Sequence, residues 1–453
     1  MSVADRGTDR VPLPLGTRRE AVAQVWLLGL VGVQIACQLA QLVPQLGTAR
    51  PAFRVAAFGF SLAAVAFASG RASRHPSRPW LAAAALLMGV QFFSPTTNSP
   101  LSGLATIVLA AAIAGPILWV GRLRVTPTLL RRTLLTIWGF QSLSAAAGVL
   151  QALYPGQFMP QAGGAYDNEF SDGLKLVLAD GAVIFRPMGL SDTPGGGAVA
   201  GLTAYILGLG FLCNSRSGVM RTLAVGGVAA GMFCMVLCQV RVTIVLAVIM
   251  TAVLAVALTA ARRYGDLIWL AALVPVTVAT SGGYALTVGG EATLRRLETL
   301  VEENPNSVYY QNRGQFLEWT FREGMEDYPF GAGLGRWGMM NLYFGDANAA
   351  PDAKPLWVEI QWTAWLFDGG APLMVAYAGA VLAACVATLR VALRCPDRRV
   401  AGWGAVLTAY NLGVCAVTFS YVPFIGQMGL EFWLLNAAVA AAARTVAPRA
   451  GAA

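Results

Sequence analysis

The sequence predicts an all-α protein that crosses a membrane many times, and three observations indicate this class. Of its 453 residues, 56% are apolar and only 12% are charged, and the mean hydropathy is +0.59. Apolar runs of about 20 residues recur, each long enough to cross the ~30 Å hydrocarbon core of a bilayer. A polar block at 290–357 interrupts these runs. Such a composition is typical of polytopic membrane proteins and excludes an ordinary soluble domain.

Twelve apolar segments qualify as transmembrane helices. At 239–241 the pattern leaves two alternatives open, which are a pair of spans or one longer or broken span. The predicted spans are 21–43, 53–70, 79–95, 101–120, 133–153, 194–213, 222–239, 242–260, 266–288, 370–389, 401–420 and 426–443.

The arginines give this map a direction. Most lie at the N-terminus or in alternate short connections, which the positive-inside rule places in the cytoplasm. We therefore predict cytoplasmic N- and C-termini and two periplasmic loops, 154–193 and 290–357. The net charge of +9 then reflects topology, and no nucleic-acid partner is expected. The arginines concerned are Arg18, Arg19, Arg71, Arg74, Arg78, Arg122, Arg124, Arg131, Arg132, Arg216, Arg221, Arg262, Arg263, Arg390, Arg394, Arg398 and Arg399.

The spans and loops divide the chain into consecutive parts. Residues 1–153 form an N-terminal membrane part with five helices, and 154–193 form the first periplasmic loop. Central membrane helices follow at 194–289. The large periplasmic loop, with an interfacial helix at its end, covers 290–369, and C-terminal membrane helices occupy 370–453.

Local patterns predict structure inside the two loops. Two β-prone runs around 180–181 predict a small hairpin. In the large insert, 291–303 and 314–327 have the pattern of amphipathic helices, and the glycines after Pro329 predict a turn. Three tryptophans in 357–367 are typical of a helix that lies in the membrane interface.

The residue inventory narrows the chemistry. The only histidine, His75, lies in a predicted cytoplasmic turn, so no histidine in the loops can act as a base or metal ligand. Cys234 and Cys238 are spaced i,i+4 on one helix, where small core residues are favoured over a metal pair. The acids of 167–172 either bind a divalent cation or form a solvated surface. We expect neither a metal nor a cofactor.

Glu359 is the acid with the most unusual position. It opens an apolar, aromatic stretch at the predicted membrane surface. Partial desolvation there raises the pKa of a carboxyl toward the range of a general base. The alternative is an interfacial residue that extends its carboxylate into water, and the sequence leaves both open.

Arg186, Arg241 and Arg313 are candidates for binding an anion. Arg241 lies between two apolar segments, where a charge costs roughly 2.5–3.5 kcal/mol at the bilayer centre, and the other two lie in the periplasmic loops. Guanidinium groups bind phosphate oxygens in a bidentate manner, so three of them at one membrane surface suit a diphosphate. The alternative is that each arginine pairs with an acid of its loop.

Taken together, these features resemble the O-antigen ligase and Wzy-type polysaccharide polymerase superfamily over roughly 150–390. The shared features are twelve spans, a late polar insert, an arginine after the seventh span (Arg241), Arg313 and Trp319 at the start of a helix, the glycine-rich segment 329–335, the segment from Trp362 to Gly369 and Gly370, and the arginine-x3-leucine pattern of Arg186 and Leu190.

The resemblance implies a fold similar to the helical (GT-C-like) membrane glycosyltransferases and a glycosyltransferase activity at the periplasmic face of the bacterial inner membrane. A glycan would pass from an undecaprenyl-diphosphate donor to a glycan or other acceptor, without nucleotide or metal, in surface or exopolysaccharide assembly. Polysaccharide-assembly proteins are possible partners. Arg186, Arg241 and Arg313 would hold the diphosphate, with Arg241 also catalytic, and Glu359 would take the proton of the acceptor hydroxyl.

The chain departs from the family at one position. Ligases of this family carry a histidine before the late glycine-terminated segment, and Glu359 takes the corresponding place here. The departure favours a polymerase, or a ligase for an acceptor other than a lipid A core.

Two other functional classes stay open. A transporter or flippase of lipid-linked saccharide would carry ionisable residues and broken helices near the membrane midplane, and Glu431 is the clear acid within a predicted span. A structural role in an export complex is the third class. The enzyme hypothesis requires Arg186, Arg241, Arg313 and Glu359 to line one outward cavity.

Overall fold

The computed structural model describes residues 15–68, 75–159, 175–177, 183–193, 195–238, 240–302 and 304–447. Helices dominate this part of the chain. Their bounds are α1 Leu15–Gln41, α2 Arg50–Phe67, α3 Arg78–Gln91, α4 Pro100–Ala114, α5 Pro116–Trp119, α6 Pro127–Leu153, α7 Pro155–Phe158, α8 Gly196–Asn214, α9 Gly218–Leu237, α10 Arg241–Ala260, α11 Tyr264–Glu302, α12 Pro305–Tyr309, α13 Gln315–Trp319, α14 Met325–Asp327, α15 Gly338–Phe344, α16 Gln361–Arg394, α17 Arg398–Val417 and α18 Gln427–Val446.

The helices confirm a polytopic membrane protein. Among the described residues, nine are long and apolar enough to cross a bilayer, or ten if α4 and α5, which are bent by 46° at their junction, form one span. Each of the twelve predicted segments coincides with a helix, but α3 and α18 are not among those nine. The number twelve therefore stays a prediction.

The structure decides two boundaries that hydropathy left open or misplaced. Helix α9 ends at Leu237 and α10 begins at Arg241, so two helices meet at this join. Helix α11 continues to Glu302 instead of ending near 288. The predicted amphipathic helix of the insert is thus an extension of the preceding span.

Much of the core lies where α16, α17 and α18 pack together and where α17 packs against α8. Aromatic rings fill it, because large flat side chains bury much apolar area at a crossing of helices. Trp365 and Tyr377 stack with ring centroids 5.1 Å apart, and Phe424 meets Trp433 at 5.9 Å. This rigid block supports the segments that form the candidate site.

Several connections meet at one end of the bundle, which we call the insert face: 92–99, 186–193, Cys238 and Val240, 304–360 and 418–426. Hydrogen bonds join them across large sequence separations. The Asn98 side chain donates to the Ala353 carbonyl (2.9 Å), and the Gln361 backbone N–H donates to the Tyr421 carbonyl (3.1 Å). The insert is therefore fastened to the helices that it covers.

The predicted hairpin of the first loop is present. Its strands β1 (Lys175–Val177) and β2 (Val183–Phe185) pair antiparallel, with Leu176 opposite Ile184. The turn between them, at 178–182, lies outside the described residues, as does the acidic segment 167–172.

His75 lies at the opposite end of the bundle, between α2 and α3. It is buried, and its Nδ1 accepts a hydrogen bond from the Ser77 backbone N–H (3.3 Å). Burial, followed by the charges of Arg444 and Arg78, lowers the pKa of His75 to about 4. The ring is therefore neutral at neutral pH.

Candidate functional site

Arg313 lies at an irregularity of the insert helix. The chain is helical from Pro305 to Asp327, but two π-type turns, Tyr310–Gly314 and Thr320–Gly324, interrupt the α-helical pieces α12 to α14. Such turns are rare and often occur at functional positions. The first of them contains Arg313, so the α-helical pattern is interrupted at the predicted anion-binding residue.

Arg313 and Glu359 form an ion pair. The Arg313 Nη1 atom is 2.5 Å from Glu359 Oε2, and Arg313 Nε donates to the Ser420 carbonyl (3.2 Å). The Trp357 indole N–H donates to Glu359 Oε1 (2.9 Å). The insert helix, the entry to α16 and the 418–426 turn thus meet at these two charges.

This pairing changes the environment predicted for Glu359. The sequence suggested an acid among apolar side chains, whereas the structure surrounds its carboxylate with a guanidinium and an indole N–H. The side chains of Arg313 and Glu359 are 37% and 20% exposed, so solvent and a ligand can reach both. For Arg313, pairing with a loop acid, which the sequence left as the alternative, is what the structure contains.

Arg186 and Arg241 lie at a second position on the insert face. Pro187, next to Arg186, places its carbonyl 3.8 Å from the Cys238 thiol, in the turn that leads to Arg241. The side-chain oxygen of Gln151 at the end of α6 accepts N–H bonds from Met188 (2.9 Å) and Gly189 (2.8 Å). These contacts fix the segment after Arg186 beside the start of α10.

Cys234 and Cys238 take part in this arrangement as core residues. Both thiols are buried, and the Cys234 thiol contacts the Gly197 carbonyl at 3.1 Å. They fill the space where the first loop meets α8 and α9. None of the described residues forms a group of three or more His, Cys, Asp or Glu side chains that could hold a metal ion.

The four predicted site residues therefore lie at two places. Arg313 pairs with Glu359, and Arg186 lies beside the start of α10, the helix that begins with Arg241. None of the four lines either of two cavities in the described part of the bundle, one beside Asp368 and one beside Glu431. Neither of these two cavities is therefore the common cavity that the enzyme hypothesis requires.

Arg54 is a functional candidate that the sequence prediction missed. It lies in the first turns of α2 and pairs with Asp192 of the first loop. It also donates to the Tyr343 hydroxyl (3.0 Å) and to the Gln41 side chain (3.1 Å).

A signal for Arg54 was present in the sequence. An arginine at the predicted outward end of span 53–70 opposes the positive-inside rule. A positive charge at this end of a span is expected to have an anionic partner, and Asp192 is that partner for Arg54. The many arginines of the cytoplasmic connections dominate the topology map and hide such exceptions.

Asp368 is the second missed residue. It is 7% exposed and accepts a hydrogen bond from the Trp337 indole N–H (2.8 Å). It lines a cavity of about 40 Å³ whose walls are largely apolar, with Trp365, Tyr377 and Phe424 among them. In the sequence this acid is only one member of a glycine-terminated segment, and no local pattern distinguishes it.

The glycines after Asp368 break α16 and receive the glycine turn of the insert. Gly370 has a left-handed φ of 67° and a ψ of −165°. The Ala371 N–H donates to the Pro329 carbonyl (3.1 Å), and the Ala332 N–H donates to the Phe367 carbonyl (2.8 Å). The two glycine-rich segments, 329–335 and 369–370, are thus the two halves of one contact.

Comparison with protein-family models and with curated proteins finds no match to this chain.

Proposed function

We propose that this protein transfers or polymerises glycan from an undecaprenyl-diphosphate donor at the periplasmic face of the bacterial inner membrane. The single observation that carries the proposal is the accessible Arg313–Glu359 pair on the insert face. It brings together a cation that can bind phosphate and a carboxylate that can accept a proton, at one place on the insert face.

The ion pair suggests how the donor starts the reaction. A diphosphate is a better partner for Arg313 than one carboxylate, because it offers more negative charge and several oxygens. When it binds, Glu359 loses its partner and becomes available as a base. Arg186 and Arg241 add positive charge at the same face.

The chemical step is the transfer of the glycan from the diphosphate to the acceptor hydroxyl. The acceptor hydroxyl oxygen attacks the anomeric carbon of the donor, and its proton passes to Glu359. The bond between that carbon and the diphosphate oxygen breaks, and undecaprenyl diphosphate leaves. Arginines stabilise the negative charge that develops on the leaving group. Because the donor brings its own leaving group, no nucleotide is needed.

The acceptor follows from the same residues. With a glutamate at the position of the family's histidine, we propose a polymerase, or a ligase for an acceptor other than a lipid A core. Polysaccharide-assembly proteins on the same membrane are the expected partners.

Glu359→Gln tests this proposal. The variant keeps the size of the side chain and removes the base, so polymer is lost and the lipid-linked intermediate accumulates while the protein level in the membrane is unchanged. Surface polysaccharide on gels and extracted lipid-linked glycan are measured in cells that lack the chromosomal copy. Polymer of normal length in Glu359→Gln contradicts the proposal.

Glu318→Gln is the matched control. Glu318 also pairs with an arginine of the insert, with Arg322 Nη1 2.5 Å from its Oε1. Its removal breaks an equivalent ion pair on the surface and leaves the base in place. Polymer therefore stays normal in this variant.

A transporter or flippase of lipid-linked saccharide is the second candidate. The break in α16 at Gly369 and Gly370, beside the buried Asp368, favours it, because broken helices and buried acids are typical of transport sites. Liposomes containing the pure protein and a labelled lipid-linked glycan separate the two: an enzyme lengthens the glycan, whereas a flippase only moves it between leaflets.

A further inference from the structure

A second cavity lies inside the bundle, away from the ion pair of the insert face. It has a volume of about 20 Å³ and is lined by residues of α1, α6 and α18. Its polar groups are Gln34, Gln141, Gln427 and Glu431, and the rest of its wall is apolar. Glu431 is 7% exposed and lies one helical turn after Gln427, the first residue of α18.

The hydrogen bonds of Glu431 all end on one oxygen. Gln141 Nε2 donates to Oε1 at 3.1 Å, and Gln427 Nε2 donates to the same Oε1 at 3.0 Å. In a carboxylate both oxygens are acceptors of equal strength, whereas in a carboxylic acid the carbonyl oxygen accepts and the hydroxyl donates. Oε2 receives no donor from the described residues, so a proton on that oxygen can be accommodated.

The cavity wall around Glu431 offers no compensating charge. Among the described residues that line it, none from α1 or α6 is ionisable, and on α18 the wall holds only Glu431 itself among ionisable groups. An unpaired carboxylate inside a membrane bundle is costly, and protonation removes that cost.

The same geometry argues against a metal cation as the partner. Gln141 and Gln427 present their N–H groups, not their oxygens, to the carboxyl group. A cation would need oxygen ligands at this place. A proton on Oε2 satisfies the site, and a cavity of this size has room for about one water molecule that could accept it.

We propose that Glu431 is a proton-binding site within the membrane bundle, a neutral acid at neutral pH that exchanges its proton through the adjacent cavity. The proton links α18 to α6, since it sets whether Gln141 faces an acid or an anion. This site is independent of the proposed glycan transfer, because it shares no residue with the ion pair of Arg313 and Glu359.

Infrared difference spectroscopy tests the site on the purified full-length protein in lipid nanodiscs. The spectrum of Glu431→Gln is subtracted from that of the unsubstituted protein at about pH 7, where an ordinary glutamate is ionised. We expect the difference to contain the C=O stretching band of a protonated carboxylic acid, which moves to lower frequency in D₂O as the proton exchanges. Carboxylate stretching bands in place of the C=O band overturn the proposal. Carboxylate bands that change when sodium is added also overturn it.

Two further variants keep the result interpretable. Asp368→Asn removes the other buried acid and must leave the Glu431 band unchanged. Gln427→Leu retains the carboxyl group and removes one donor to its carbonyl oxygen, so the band of the neutral acid moves to higher frequency. If Glu431→Gln does not fold, the band shift in Gln427→Leu shows whether Glu431 is protonated, because an ionised Glu431 has no C=O band of a carboxylic acid.

Discussion

Replacing Gly370 by alanine should strongly destabilise the contact between the insert and α16. Its φ of 67° and ψ of −165° fall in a region that is essentially restricted to glycine, and a side chain there costs of order 1–3 kcal/mol. A Cβ would also collide with the Pro329 carbonyl oxygen and lie 2.5 Å from Phe330 Cα. Because both obstacles are backbone atoms, they cannot move aside without opening the contact between 329–335 and 369–370.

We therefore expect Gly370→Ala to lower the free energy of unfolding by about 2–6 kcal/mol, the sum of about 1–3 kcal/mol for strain and about 1–3 kcal/mol for the collision. Gly338→Ala is the matched control, since Gly338 has a φ of 63° but no atom within 4 Å of the place that a methyl group would occupy. Its cost is only the strain, about 1–2 kcal/mol. The midpoint of thermal unfolding in detergent, followed by fluorescence-detected size exclusion, compares the two.

Equal midpoints for the two variants would refute this reasoning. They would mean that the collision with the insert is relieved without loss, and that the glycine turn does not depend on the break in α16. A second consequence concerns the site: if Gly370→Ala survives folding, its displaced insert should also weaken the hydrogen bond between Trp337 and Asp368, which the change in tryptophan fluorescence reports.

The remaining predictions concern charge and topology. The free energy of unfolding falls as the pH drops from about 6.5 to about 4, because the unfolded chain binds a proton at His75 and the folded protein does not. The loss reaches about 3 kcal/mol. Thermal unfolding of His75→Gln across this range should lack this pH dependence. In a double-mutant cycle of Arg54→Gln and Asp192→Asn, the unfolding free energies should be non-additive by about 1 kcal/mol, and additive values would show that the pair is not formed. Reporter fusions at the C-terminus should be active as green fluorescent protein and inactive as alkaline phosphatase; the reverse pattern would invert the predicted topology.

Much of the fold could be predicted because lipid imposes a simple rule on the sequence. A span must be apolar over about 20 residues, and the predicted segments accordingly coincide with helices such as α8 and α17. The errors lie where that rule has no force. Helix α11 runs on past its apolar part to Glu302, because a helix that is already formed can be extended by one hydrogen bond per residue without a new nucleation step.

The candidate site could be predicted only in part. Residue type identified Arg313 and Glu359 as chemically useful groups, but nothing in their spacing of 46 positions showed that they touch each other. Arg54 and Asp368 were missed because each acquires its interest from a partner, Asp192 and Trp337, that is distant in the chain. Pairing of this kind is set by packing and has no local pattern.

The sequence by itself determined that this is a membrane protein with many helices and which segments form them. Hydropathy is additive along a chain, so the bilayer acts on each segment separately and its effect can be read locally. Only the tertiary structure decided that the glycine turn of the insert closes on the break in α16, that Glu359 is held by Arg313, and that Glu431 faces three glutamines across a cavity. These are contacts between segments that are distant in the sequence. Their free energy depends on distances between atoms in the folded protein, which a local sequence pattern does not give.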